Sequence, residues 1–264
     1  MNRKIDARFF LDIIKNAKYI PYIIWNIKNW PTFFLYYLGI KKGGGAFCFR
    51  NGVVIRDIEG SASGTIAVVF IRKHYGSIIG KSVVVDIGSN IGVFAIYAAM
   101  SNSNIKIYAF EPIKANYDLL EKNISENNLR GRIIAFNLGI SSKTEKREFY
   151  LSSSAEHSLY NGDSYNSRIS VDCLCLNDVL NYNSISKVDL LKINAEGAEY
   201  EILYSAPKEC FDKIDEIRME YHKQELDRHN LESLRTFLEG FGYKKLHLCE
   251  YNNDDGFLWM KRTG

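Results

Sequence analysis

Apolar residues along the chain form short runs that alternate with segments of helical periodicity. Val83, Val84 and Val85 make a β-branched run, the pattern of a strand buried on both faces of a parallel sheet. Strand and helix patterns alternate from there onward, which predicts an α/β fold with a doubly wound, mostly parallel, seven-stranded sheet. The predicted strands are 82–86, 105–110, 132–137, 190–193, 214–221, 243–250 and 256–261, and the predicted helices are 91–101, 114–127 and 224–240.

The first 80 residues show a different pattern. Pro21 and Pro31 divide an aromatic-rich stretch over residues 5–40 into short helical pieces. Two short apolar runs then flank Asn51 and Gly52, a dipeptide that predicts a β-hairpin. A helix is predicted over 64–75. We therefore expect a helical cap and hairpin over 1–80 and an α/β ligand-binding domain over 81–264.

Composition places the chain among globular proteins of a reducing compartment. The hydrophobic fraction is 46% with only 4 Pro, which excludes a disordered chain. Five Cys residues show neither a disulfide framework nor a zinc spacing. No apolar run approaches the ~20 residues of a membrane span, and no signal peptide is recognisable. These features predict a cytoplasmic protein.

Charge is distributed unevenly along the chain. Residues 1–80 carry 12 Lys/Arg and 4 Asp/Glu, whereas residues 81–264 carry 22 and 27. A basic end favours an anionic partner such as a membrane surface, a glycolipid or a nucleic acid. Two interpretations of the N-terminal segment remain open: a helical cap on the α/β domain, or a peripheral segment that rests on a membrane.

The strand at 82–86 leads into the motif DIGSNIG over residues 86–92. A dinucleotide fingerprint has three glycines in G-x-G-x-x-G, whereas here only Gly88 and Gly92 bracket the turn. The carboxylate of Asp86 would repel a pyrophosphate but suits an ammonium or sulfonium group. Amides at the following helix N-terminus can hold a carboxylate. S-adenosylmethionine combines these groups, and Ser89 and Asn90 complete its predicted loop.

A second acidic residue supports a nucleoside ligand. Glu111 ends the next strand, 25 positions after Asp86, where a carboxylate can accept hydrogen bonds from both ribose hydroxyls. Pro112 then begins a helix. Asn137 ends the third strand, where an adenine ring would lie. The alternative is a structural glycine turn and a helix-capping Glu, which leaves Asp86 unexplained.

With these motifs in place, the sequence resembles the FkbM-type methyltransferase family. The resemblance implies a class I, Rossmann-like methyltransferase that uses S-adenosylmethionine, releases S-adenosylhomocysteine and methylates oxygen atoms of natural products, polysaccharides or glycolipids. It runs from about Trp30 to the C-terminus. The segments that carry it are VVVDIGSNIGVFAIYAA at 83–99, YAFEP at 108–112, NYDLLEKNISENN at 116–128, VDLLKINAEGAEYEIL at 188–203 and EYH at 220–222.

The chain departs from the family at one position, because Asn194 stands where the family usually has Asp. Asn keeps the size and hydrogen-bonding capacity of Asp but loses its charge and its capacity as a base. Glu196 is then the nearby carboxylate.

Strand carboxyl ends meet at one edge of a doubly wound sheet, so four further residues are expected to face the acceptor. They are Asn194, Glu196, Glu220 and His222. A hydroxyl acceptor must lose its proton, and His222 is the first candidate for that base, with Glu196 second and Glu220 orienting the imidazole. Lys192 is expected to pair with a carboxylate. Nothing in the spacing requires a metal.

Two other functions stay open at this level. The basic N-terminus favours an RNA methyltransferase, but the chain lacks an N/D-P-P-Y segment and a recognisable RNA-binding module, which disfavours nucleic acid. Loss of the Asp at position 194 favours a non-catalytic cofactor-binding protein. A polar loop containing His157 and Tyr160 is predicted to be either a lid or a plain surface loop. The sequence does not determine the oligomeric state.

Overall fold

The computed structural model describes residues 17–58, 60, 62–152, 165–222, 226–251 and 255–263. The predicted polar loop with His157 and Tyr160 lies outside these residues, as does the start of the predicted N-terminal cap, residues 1–16.

The elements of the described chain follow the predicted alternation. The strands are β1 (Gly45–Cys48), β2 (Val54–Asp57), β3 (Val83–Ile87), β4 (Lys106–Phe110), β5 (Ile133–Phe136), β6 (Gly139–Ser141), β7 (Glu145–Ser152), β8 (Tyr165–Cys175), β9 (Leu190–Ile193), β10 (Glu216–His222), β11 (Tyr243–Glu250) and β12 (Asp255–Arg262). The α-helices are α1 (Ile20–Asn26), α2 (Trp30–Tyr37), α3 (Ala62–Ile66), α4 (Val93–Ser101), α5 (Lys114–Glu126), α6 (Leu176–Tyr182), α7 (Glu199–Tyr204), α8 (Lys208–Lys213) and α9 (Leu231–Glu239). A 3₁₀ turn over Ala17–Tyr19 precedes α1, and a π-helical turn over Ala67–Ile71 follows α3.

A seven-stranded sheet forms the centre of the fold, in the order β11-β12-β10-β9-β3-β4-β5. The five strands β10, β9, β3, β4 and β5 run parallel to one another, and β12 is antiparallel to both β10 and β11. Val84 and Val85 in β3 are fully buried, as expected of a strand with helices on both faces. The predicted fold class is confirmed. A second sheet joins β6, β8 and β7.

The N-terminal hairpin is also as predicted, since β1 and β2 pair antiparallel around the turn at Asn51 and Gly52. The side chain of Asn123 in α5 and that of Asn127, directly after the helix, hold it in place. Asn123 Oδ1 accepts the Arg56 N–H at 2.8 Å, and Asn127 Oδ1 accepts the Val54 N–H at 2.9 Å. One cluster of buried side chains runs across position 80, from Phe33, Phe47 and Ile55 to Val84 and Ile96. The extension therefore packs against the α/β core, while a domain boundary at residue 80 stays a prediction.

Each of the two short N-terminal helices begins with a proline in its first turn, Pro21 and Pro31, where the missing N–H is not needed. Among the described residues, no helix combines the length and apolarity needed to cross a bilayer.

Two predicted helices have different limits in the structure. The helix predicted over 64–75 ends at Ile71, shortly before Lys73 adopts a left-handed conformation with φ of 55°. The helix predicted over 224–240 begins only at Leu231, because Asn230 caps it and its side chain accepts the Ser233 N–H at 3.0 Å. Periodicity locates a helix well but fixes its ends poorly.

Candidate active site

A cavity of about 280 Å³ opens at the carboxyl ends of β3, β4 and β9. Open α/β sheets bind ligands at this edge. Four predicted cofactor residues (Gly88, Ser89, Asn90, Glu111) and two predicted acceptor-side residues (Asn194, Glu196) line it. The remaining described lining residues are Thr65, Val69, Tyr75, Ile87, Val93, Phe94, Phe110, Pro112, Ile113, Asn116, Leu138, Ile140, Phe149, Lys192, Ala195 and Ala198.

The loop between β3 and α4 has a backbone that its glycines make possible. Gly88 has φ of 72°, and a Cβ there would lie 1.8 Å from the backbone oxygen of Asn194. Gly92 has φ of 90°, and a Cβ there would lie 2.5 Å from Leu120 Cδ1. Asn90 also adopts a left-handed conformation, with φ of 49°, which Asn tolerates better than most residues. The motif therefore brings β3, β9 and α5 closer together than any side chain at 88 or 92 would allow.

The amides of the loop itself, before α4 begins, bond within the protein. The N–H groups of Gly88 and Ser89 both donate to Phe110 O, at 3.1 and 3.0 Å. The Asn90 N–H donates to Glu111 at 2.8 Å, and the Ile91 N–H donates to Asn90 Oδ1 at 2.7 Å. Among the described residues, no side chain caps α4, whose first residues line the cavity. The donors that remain for an anion are in the first turn of α4, the helix N-terminus named in the prediction.

Asp86 lies below the cavity and not on its wall, where the sequence predicted it. Its carboxylate is fully buried, and Oδ1 is 2.9 Å from Nζ of Lys192, the residue beside it in β9. The Lys192 ammonium also donates to Gly88 O at 2.8 Å and to Ile87 O at 3.2 Å. Lys192 is therefore the carboxylate partner that the sequence suggested. Asp86 influences a bound ligand through Lys192.

Glu111 presents its carboxylate to the cavity from the end of β4. Oε2 accepts the Asn90 N–H at 2.8 Å, and Oε1 accepts the Ile113 N–H at 3.0 Å and the Asn116 side chain at 3.2 Å. Burial raises the pKa of Glu111 to about 7, although these donors and the charge of Lys192 act to lower it. A carboxyl near its midpoint at neutral pH becomes a stronger acceptor when a ligand brings further donors.

Asn137 has a supporting position instead of the predicted contact with adenine. Its side-chain amide donates to Glu111 O and to Pro112 O, at 2.9 Å each, and so fixes the corner that carries Glu111. The next residue, Leu138, lines the cavity in its place. With Ile113, Ile140 and Phe149 it forms an apolar end suited to a flat aromatic ring.

On the opposite side of the cavity, Glu199 organises the predicted acceptor residues. Its side chain is fully buried and accepts the backbone N–H groups of Ala195 at 2.8 Å and Gly197 at 2.9 Å. Glu199 Oε1 also lies 3.2 Å from His222 Nδ1. Sequence reasoning gave Glu199 no role. The available signal was an acidic residue in the first turn of a helix that follows a glycine loop.

His222, the first candidate for the base in the sequence, is held between two carboxylates. Nε2 lies 3.6 Å from Glu196 Oε2, on the side opposite the Glu199 contact. Burial acts to lower its pKa, but the hydrogen bond and charge of Glu199, with the charges of Glu196 and Glu220, raise it to about 10. These carboxylates favour the imidazolium form of His222, which has no lone pair with which to accept a proton.

The other predicted acceptor residues differ in how they meet the cavity. Glu220 does not orient the imidazole by a hydrogen bond as predicted; it acts through charge, and burial raises its own pKa. Asn194 Oδ1 is buried on the cavity wall and has no hydrogen-bond partner among the described residues. The Glu196 side chain is 28% exposed and its backbone is left-handed, with φ of 49°. Asn194 and Glu196 are thus the residues of this set that face the cavity.

Comparison with known proteins agrees with this arrangement. The family model described as "Methyltransferase FkbM domain" matches residues 86–245, which include every predicted site residue. The chain belongs to the FkbM methyltransferase family. It is therefore a methyltransferase, and its methyl donor is S-adenosylmethionine.

Relatives within and beyond the FkbM family are distant. The chain is 27% identical over 197 residues to Methyltransferase 1 of Beauveria bassiana, covering 66% of this chain and 78% of that protein. It is 22% identical over 179 residues to the 31-O-demethyl-FK506 methyltransferase FkbM of Streptomyces tacrolimicus, covering 57% and 69%. The solved structure of M. jannaschii TYW2 with AdoMet has a TM-score of 0.45 at 16% identity, covering 84% of this chain and 88% of that one, a likeness too weak to argue from.

The cavity of this FkbM-family protein fits S-adenosylmethionine. Glu111 offers a carboxylate for ribose hydroxyls, beside an apolar end for adenine. The unpartnered Asn194 Oδ1 is an acceptor for the ammonium group of the methionine moiety. Lys192 and the first turn of α4, both on the cavity wall, would supply positive charge for the cofactor's carboxylate.

Proposed function

We propose that the protein is an S-adenosylmethionine-dependent O-methyltransferase that acts on a hydroxyl of a sugar, a glycolipid or polysaccharide, or a natural product. The cofactor supplies a methyl group on a sulfonium centre. The observation that carries the proposal is a partly exposed carboxylate, Glu196, on the cavity wall at 3.6 Å from His222, whose pKa the surrounding carboxylates raise. Glu196 is the negative group that faces the acceptor, and His222 fixes the position of the Glu196 carboxylate.

A hydroxyl acceptor needs a group that takes its proton as the oxygen attacks the methyl carbon. His222 is charged, and Glu199 is occupied by two backbone amides and the imidazolium. Asn194 cannot accept a proton at neutral pH. Glu196 is thus the base that we propose, with Asn194 and His222 as neighbours that position the reacting groups.

The backbone at Glu196 supports this assignment. A non-glycine residue with φ of 49° costs of order 1 kcal/mol, and such strain tends to be retained where a side chain must point in a required direction. The Glu199 carboxylate holds the strained loop through the amides on either side of position 196. Among the relatives, the name of the Streptomyces tacrolimicus enzyme refers to a methyl group on oxygen, which supports a hydroxyl acceptor.

The test is transfer of an isotopically labelled methyl group to a panel of sugars, glycolipids and hydroxylated natural products. With an acceptor in hand, we expect Glu196→Gln to lower kcat by about 10²–10⁴-fold while S-adenosylhomocysteine affinity is unchanged. Glu209→Gln, an exposed acidic position in α8, is the matched control and should keep full activity. Full activity of the Glu196 variant would remove it as the base. Cofactor binding without transfer to any member of the panel would favour a non-catalytic protein.

A further inference from the structure

A second cavity, on the N-terminal helices, differs in chemistry from the active site. It has a volume of about 320 Å³ and lies between α1, α2 and the segment 67–72. Nine of its twelve described lining residues carry purely apolar or indole side chains, among them Ile20, Ile24, Trp30 and Phe34. We call it the N-terminal groove. Exposing such an apolar lining to water is unfavourable, so the groove favours an apolar occupant.

Large apolar side chains beside the groove are exposed. Trp25 is 80% exposed and Ile40 is 68% exposed, while Ile24 and Tyr22 are each 38% exposed. They lie on α1 and on the loop after α2, the elements that form the groove or flank it. A monomeric protein rarely leaves a continuous apolar surface of this kind without a partner.

Positively charged side chains border the same surface. Nζ of Lys18 lies 5.1 Å from the ring centroid of Tyr19, a groove residue, and Nζ of Lys73 lies 5.9 Å from that of Tyr22. Arg50 donates to the backbone oxygen of Ile24 at 3.4 Å. Arg72, which lines the groove, donates to the Tyr37 hydroxyl at 2.7 Å. The apolar surface is thus framed by cations.

Charge complementarity identifies the partner. Residues 17–81 contain nine Lys/Arg and two Asp/Glu, Asp57 and Glu59, and Asp57 is buried where it accepts the Ala62 N–H. A second copy of this chain would bring like charges together, which disfavours self-association through this face. An apolar centre with exposed Trp and a cationic border matches the interface of an anionic bilayer, where hydrocarbon lies behind negative headgroups.

We propose that the N-terminal groove and its cationic border dock on an anionic phospholipid bilayer, with Trp25 and Ile40 inserted at the headgroup level. The proposal holds whatever the methyl acceptor is. It also orients the active site, because Ala67 and Ile71 line the groove while Thr65 and Val69 of the same helical segment line the cofactor cavity. Docking would bring the active site to within about one helix diameter, ~10 Å, of the bilayer-facing groove.

The test is co-sedimentation of the full chain with vesicles of phosphatidylcholine alone or mixed with phosphatidylglycerol. We expect binding to the anionic vesicles, weakened by salt, and little binding to the neutral ones. Trp25→Ser should weaken binding about tenfold or more, and Lys18→Ala and Lys73→Ala about fivefold each. Tyr182→Ser, at another residue that is 70% exposed, and Lys244→Ala, at an exposed position of β11, are the matched controls and should bind as wild type.

Because Trp25 and Ile40 are exposed, their Ser variants should fold and bind S-adenosylhomocysteine normally. If Trp25→Ser were impaired in folding, Ile40→Ser would provide the same test. Failure of the wild type to bind anionic vesicles would overturn the proposal. So would equal binding by the groove variants and the controls, or a concentration-dependent dimer without vesicles that Trp25→Ser abolishes, since a second copy would then occupy the groove.

Discussion

The two sides of the active-site cavity are built by different means. On the cofactor side, after β3 and β4, the backbone fixes where the binding residues lie. Gly88 and Gly92 adopt left-handed conformations, and the loop amides bond to Phe110 and Glu111. On the acceptor side, after β9 and β10, charge holds the side chains in place, because His222 lies among several carboxylates. A site that must recognise a fixed cofactor can rely on a rigid backbone. A site that must take a proton depends on its electrostatics.

The largest expected effect comes from Gly88→Ala, which breaks the backbone side. The new Cβ would lie 1.8 Å from Asn194 O at a φ of 72°, so β3 and β9 would have to separate. We expect a loss of about 3 kcal/mol or more in unfolding free energy and loss of S-adenosylhomocysteine binding. Urea unfolding and calorimetry measure both. Gly80→Ala is the control: φ is 79° but no atom lies within 4 Å of its Cβ, so only about 1 kcal/mol is expected. Equal losses would refute the steric argument.

Lys192→Met tests the ion pair that joins the two sides. It leaves the Asp86 carboxylate buried without its cation, and we expect a loss of about 3–5 kcal/mol in unfolding free energy. Adding Asp86→Asn should recover part of this loss, which a double-mutant cycle in urea measures. Arg56→Ala, which removes an exposed pair with Glu126, should cost less than about 1 kcal/mol. Additive losses at 86 and 192 would show that the pair is not coupled.

The cofactor side also makes a prediction about pH. With a pKa of about 7, Glu111 loses its charge as pH falls, and a neutral carboxyl accepts ribose hydroxyls less well. S-adenosylhomocysteine affinity should therefore rise with pH up to about 7 and then level off, changing by up to about tenfold per pH unit below the pKa. Calorimetry across this range measures the profile. Glu111→Gln should bind weakly with a flat profile, and an equally steep profile in that variant would assign the titration to another group.

The acceptor side makes a prediction about stability at high pH. The pKa of His222 is about 10 in the folded protein and near the ordinary 6.5 when unfolded. The folded state therefore gains stability from the charged imidazole below pH 6.5, and that gain is lost as pH rises from 6.5 to 10. Wild type should lose more unfolding free energy than His222→Gln over this interval, as measured by urea unfolding.

His74 supplies the control for that measurement. Burial lowers the pKa of His74 to about 4, so its ring is neutral in both states above pH 7. His74→Gln should therefore follow the wild-type slope. If His222→Gln showed the same pH dependence of unfolding free energy as the wild type, the His222 imidazole would not be held as a cation in the folded protein.

Sequence reasoning could place the glycine turn and the strand-end acid of the cofactor side because the rules for both are local. The glycine turn with Gly88 and Gly92 follows the end of β3, and Glu111 follows the end of β4. Both features are therefore expected at the carboxyl edge of the sheet. The acid–base pairings could not be predicted in the same way. Lys192 meets Asp86 only because β9 pairs with β3 in one register, across 106 positions of sequence. Likewise, local rules could not show that carboxylates from β10 and from the loop and helix after β9 converge on His222 and raise its pKa.

The central claim, a methyltransferase cavity that binds an adenosyl cofactor through Glu111, is tested most directly by isothermal titration calorimetry. The ligands are S-adenosylmethionine, S-adenosylhomocysteine and NAD, and the proteins are wild type and Glu111→Ala. We predict that both adenosyl ligands bind the wild type, that NAD does not, and that Glu111→Ala weakens binding about 10–100-fold through loss of charge-assisted hydrogen bonds. Undiminished binding by the variant would contradict the assigned site, and a preference for NAD would contradict the methyltransferase function itself.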